Sequence, residues 1–153
     1  RVVIFDVSER KRKQRDFLRN KLKDLSFGML QESVWITPFP IANELKEYFD
    51  NWHIHGEILI SESHILIGDQ KSIVNRVWKI GKLKNRYQRL LKFWKKVSPK
   101  HRSQKPALKF QRLYLELLTK DPFLPKELLP QPWVGDVAER IYLKEVLKTL
   151  FRS

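Results

Sequence analysis

The chain contains no cysteine, which excludes disulfides, thiolate metal ligands and cysteine nucleophiles. Glycine is scarce, with five in 153 residues, and no cluster of them can form a phosphate-cradling loop or a nucleophile elbow. Apolar runs are short: none approaches the ~18 residues of a membrane-spanning helix, and no segment has the pattern of a secretory signal. Four scattered histidines form no familiar zinc spacing. These absences lead us to expect a cytoplasmic protein with no membrane partner. The most informative absence is local. Between Gln70 and Leu115 there is no Asp or Glu, while Lys and Arg occur fifteen times.

That gap accounts for the whole net charge of +14, because the rest of the chain carries sixteen basic and seventeen acidic residues. Aromatic side chains are interleaved with the bases: Trp78, Tyr87, Phe93, Trp94 and Phe110. A basic face with aromatic residues suits a polyanion, most simply nucleic acid, whose phosphate contacts release counterions. The plainer alternative is an amphipathic helix whose solvated side is basic; forty-six residues without one acid tip the reading toward polyanion contact. With 42% apolar residues, the chain can bury a core in one domain or in a small domain with a helical appendage.

The order of elements follows from periodicity. Val2 to Val7 is an apolar, β-branched run that favours a buried strand. Ser8 is placed to cap a helix over Glu9 to Leu25, with Phe17, Leu18, Leu22 and Leu25 at helical spacing, and Gly28 to end it. Arg10, Lys11, Arg12, Lys13 and Arg15 crowd its start, against the helix dipole. "MLQESVWITP" reads as two short strands about Gln31 to Ser33, stopped by Pro38. A second helix follows over Ile41 to Trp52, then the strand "HGEILIS" and a further candidate strand, "HILIG". This order is the split-βαβ, ferredoxin-like arrangement.

From Ile73 the apolar residues Ile73, Val77, Ile80, Leu83, Tyr87, Leu90, Trp94 and Val97 form one stripe, predicting a continuous helix of about seven turns with Gly81 as a kink point. The stripe reads as core or dimer contact. Its other face carries Arg76, Lys79, Lys82, Arg86, Arg89 and Lys96, the candidate anion or nucleic-acid contacts. "SPKHRSQKP" is a polar break, followed by a helix from about Ala107 to Thr119. "DPFLPKELLPQPW" is a rigid connection, and the last helix runs from near Gly135 to Leu150. The fold class is thus α+β: a ferredoxin-like domain over 1–70, then an α-helical C-terminal subdomain over 71–153.

"RVVIFDVSERKRKQRDFLRNKLKDLSFGMLQESVWITP" resembles the middle domain of PaaX-type transcriptional repressors, the regulators of phenylacetic acid degradation. "VWKIGKLKNRYQRLLKFW" is similar to the helix that follows in that family, and "DPFLPKELLPQPWVGDVAER" is the most specific match. The resemblance spans essentially the whole chain. It implies a homodimeric, non-enzymatic regulator of DNA that responds to an aryl-CoA thioester. The family's N-terminal winged helix-turn-helix is missing, so the chain reads as a truncated form.

The family's middle domain is in turn similar to the small ferredoxin-like CRISPR adaptation protein, a metal-dependent nuclease. There an aspartate at the end of the first strand faces its dimer mate's aspartate across a divalent metal. Asp6 matches that position, and "QESVW" resembles the second-strand segment. The alternative function is therefore a metal-dependent nuclease or DNA-integration subunit, with Asp6 as metal ligand across a dimer. Against it stands Asp6 as a cap on the helix that follows.

Overall fold

The computed structural model describes residues 1–52, 54, 56–63, 68–97 and 103–151. Two compact units, Arg1–Trp78 and Lys79–Ser153, make up the chain. The 70/71 boundary read from the change of period therefore falls inside the first unit.

The first unit contains β1 (Val2–Asp6), α1 (Arg12–Asp24), β2 (Gly28–Gln31), β3 (Val34–Ile36), α2 (Ala42–Asn51), β4 (Glu57–Ser61) and α3 (Gln70–Trp78). Its strands form one sheet in the order β2-β3-β1-β4, with every neighbouring pair antiparallel. That is the ferredoxin-like topology, as expected. Alternation along β1 sends Val3 and Phe5 to one face, where Trp35 of β3, opposite Val3, joins them. Leu18 and Leu22, one turn apart on α1, and Leu45 of α2 close this core. The opposite face of the sheet carries Ile4 and Leu59, paired across β1 and β4 and respectively 40% and 59% exposed. The candidate strand "HILIG" falls largely outside the described residues.

Several local readings are corrected. Helix α1 ends in a Schellman motif: Ser26 takes the left-handed conformation (φ 61°), its N–H meets the Lys23 carbonyl at 2.9 Å, and the Phe27 N–H meets that of Leu22 at 2.9 Å. Gly28 is therefore not the cap but the first residue of β2. It is glycine for another reason: a Cβ there would run into Val77 and lie 2.8 Å from Trp78 Cε2, where α3 packs on the strand. The Trp78 indole N–H fixes that contact by donating to the Ser26 carbonyl at 3.1 Å.

The single long helix of the sequence reading is two. Lys79 adopts the left-handed conformation (φ 55°, ψ 38°), ending α3 and preceding α4 (Ile80–Lys96); Gly81 lies within α4 and is not the break. A periodic apolar stripe constrains which side chains face inward, yet one left-handed residue can end a helix without disturbing it.

The second unit is helical: α4, α5 (Gln104–Leu118), then α6 (Val134–Ile141), which continues through a π-helical turn, Tyr142–Val146, into α7 (Leu147–Leu150). Pro106 lies in the first turn of α5, where its missing N–H costs no helical bond, so the helix starts before the expected Ala107. The α4 stripe of Ile80, Leu83, Tyr87, Leu90 and Trp94 is buried, with Phe110 set edge-on to Trp94 at 5.3 Å. The indole N–H of Trp94 donates to Glu145 at 2.8 Å. The proline-rich connection packs inward through Leu124, Leu129 and Trp133.

Candidate functional site

Helix α4 sorts its residues by angle. At about 100° per residue, the buried positions occupy one arc of roughly 80°, and Lys82, Arg86, Arg89, Phe93 and Lys96 occupy another whose centre is about 120° away. The four bases of that second arc are exposed, and among the described residues none has an ion-pair partner. Lys79 is also exposed, at the break before α4, and Arg76 is exposed on α3 in the first unit. The structure thus brings four of the six candidates onto one helix face.

Helix α5 extends this surface. Lys109 lies over the Phe93 ring with its ammonium 5.1 Å from the centroid, and Arg112 is exposed one turn further along. A groove of about 300 Å³ between the helices is lined by Arg86, Arg89, Leu90, Leu113, Glu116 and Leu117. Its acid is already engaged. The Lys120 ammonium bonds Glu116 at 2.6 Å, and with it holds the carboxyl below its usual range, aided by Arg86 and Arg112. Among the described residues the other guanidinium and ammonium groups of this surface have no ion-pair partner, which suits them to phosphate oxygens. Lys109 and Arg112 were not singled out from the sequence, although both lie in the acid-free segment.

The basic start of α1 is different. Glu9, in a 3₁₀ turn ahead of the helix, pairs with Arg15 at 2.5 Å; Arg12 and Arg19 approach Asp16 at 3.7 and 3.9 Å. The charges that would oppose the dipole are thus partly answered within the element.

Asp6 stands exposed at the end of β1, in register with Glu57 of β4. It caps nothing: among the described residues its carboxylate has no hydrogen-bond or ion-pair partner, and Ser8 makes no side-chain cap either. The reason is distance along the chain, since α1 proper begins only at Arg12, after the 3₁₀ turn. As a metal site the position is incomplete. A hard divalent cation takes about six oxygen ligands, and among the described residues no group of three or more His, Cys, Asp or Glu is arranged to hold a metal ion. His53, His55 and His64 lie outside those residues.

Comparison with known proteins places both units. Residues 1–74 match the model of the PaaX protein central Cas2-like domain, and residues 78–151 match that of the PaaX-like protein C-terminal domain. The chain belongs to the PaaX family. The first match stops within α3, at residue 74, and the second begins at Trp78, the last residue of that helix. The fold is similar to that of an uncharacterized protein, Rv0674, from Mycobacterium tuberculosis, with a TM-score of 0.64 and 18% identity over 97% of this chain. This chain spans 58% of that protein's length. A search of curated proteins found no match. Among the described residues, no helix is long and apolar enough to cross a membrane.

Proposed function

We propose that this chain is part of a PaaX-like, DNA-binding transcriptional repressor, in which the first unit forms a homodimer and the basic face of α4 and α5 contacts phosphate. The observation that carries this reading is the set Lys82, Arg86, Arg89 and Lys96 on one exposed face, without ion-pair partners among the described residues, with the groove's acid neutralised by Lys120. Arg76, on α3 of the first unit, and Lys79 are separate candidates for phosphate contact. Exposed bases of this kind position a protein on the nucleic-acid backbone without reading sequence. The same chemistry suits the phosphates of an aryl-CoA thioester, the effector class implied by the resemblance. For dimerisation, the sheet leaves β2 and β4 as edges and exposes Ile4 and Leu59 on its open face.

The test is fluorescence anisotropy with a duplex of arbitrary sequence, comparing the wild type with a Lys82→Glu, Arg86→Glu, Arg89→Glu triple variant. The variant is expected to keep its melting temperature and lose duplex binding. Undiminished binding by a folded triple variant would remove the proposal. Phenylacetyl-CoA added to the wild type distinguishes the two anions: competition for the duplex places both on one face.

The nuclease reading retains a single supporting observation, the exposed Asp6 opposite Glu57 at the strand end. Mg²⁺- or Mn²⁺-dependent cleavage by the wild type, absent from Asp6→Ala, would make it primary.

A further inference from the structure

On a strongly basic chain, the second unit holds a hollow with the opposite character. Its walls include Tyr87, Tyr114 and Trp133, with Asp121, Asp136 and Glu139 among them, and it encloses about 190 Å³. Three carboxylates face a single lining cation, Lys126, which approaches Asp136 only loosely, at 3.8 Å. Asp121 is committed to structure: one oxygen accepts the Tyr87 hydroxyl at 2.8 Å and the other the Phe123 N–H at 2.9 Å. Glu139 is not. Among the described residues it has neither an ion pair nor a hydrogen bond, despite the thirty-one Lys and Arg of the chain.

An independent observation makes this more than a cluster of acids. Tyr114 is 4% exposed, yet among the described residues its hydroxyl bonds to nothing, while it lines the hollow within the field of Glu139 and Asp121. Burial, followed by the neighbouring carboxylates, raises its pKa to about 12, which keeps the hydroxyl protonated at neutral pH. Trp133, 5% exposed, supplies an aromatic wall set edge-on to Tyr87 at 5.9 Å.

We propose that this hollow binds a small organic cation, a primary ammonium on a short apolar body, held by Glu139, Asp136 and the Tyr114 oxygen and packed against the Trp133 and Tyr87 rings. Each ammonium proton then has an acceptor, and the rings favour a cation over their faces. An anionic ligand is repelled here, which separates this site from the basic groove of α4 and α5.

The test is titration of the whole chain with phenethylammonium, followed by calorimetry and by tryptophan fluorescence, with 2-phenylethanol as the neutral counterpart. The cation is expected to bind saturably at one site, at least ~10-fold more tightly than the alcohol. Glu139→Gln, a change at an exposed residue, and Tyr114→Phe, which keeps the ring, should each weaken it ~10-fold, whereas Glu116→Gln in the other groove should not. Equal binding of cation and alcohol, no saturable binding, or indifference to Glu139→Gln in a folded variant would overturn the proposal.

Discussion

At Gly28 the side chain that is absent matters more than any that is present. The position admits no Cβ because Val77 and Trp78 of α3 rest on the β2 backbone, and neither neighbour is the free end of a flexible chain. Gly28→Ala is therefore expected to destabilise the first unit by about 1–3 kcal/mol, read as a lower urea midpoint at unchanged slope. A glycine serving only as a helix cap would show no such dependence on the Val77 contact, so Val77→Ala should partly rescue Gly28→Ala. The two roles look alike in a sequence, where a glycine after a helical run signals a terminus. Nothing local reveals that residues some fifty positions later will lie against it. Tyr114 makes a prediction in alkaline solution. Its pKa is raised from 10.0 to about 12, chiefly by burial and then by Glu139. Between those values the unfolded chain releases the proton first. Stability is thus full below pH 10 and declines as pH rises toward 12. Tyr114→Phe should flatten that decline in denaturant titrations; an unchanged slope would contradict it.

Among the elements, the strands and the inward faces of the helices were legible, because the apolar, β-branched run "VVIFDV" marks a strand and the three-four alternation from Ile73 marks a buried face. Breaks in the path were not. Lys79 has no sequence signature of a left-handed residue, and the apolar stripe runs through it in step. Its geometry makes a test: Lys79→Gly should raise stability by up to about 1 kcal/mol, since a left-handed backbone costs a non-glycine residue that much or more. In an unbroken helix the same change would cost about 1 kcal/mol, so the sign of the shift in thermal unfolding discriminates. The candidate surface was half legible for a related reason. Charge counting found the acid-free segment and helical spacing found the α4 face, but the contribution of Lys109 and Arg112 depends on α5 packing beside it, and the pairing of Glu116 with Lys120 became visible only with side chains in place.

For the molecule as a whole, the charge is divided between two chemistries. Around Arg86 and Arg89 the bases have no ion-pair partner among the described residues, whereas around Glu139 and Tyr114 the walls are acidic and aromatic. A fold that merely needed solubility would have no reason to keep four aligned bases without ion-pair partners among the described residues, on a helix that buries another face. The central claim is that this face meets nucleic-acid phosphates, and the salt dependence of duplex binding measures it most directly. Four phosphate contacts from Lys82, Arg86, Arg89 and Lys96 predict that log Kobs falls against log salt with a slope near −3.6. Each charge removed should reduce that slope by about one unit, with melting temperature unchanged. A slope near zero in the wild type, or one that the charge-removing variants leave unaltered, would contradict the account.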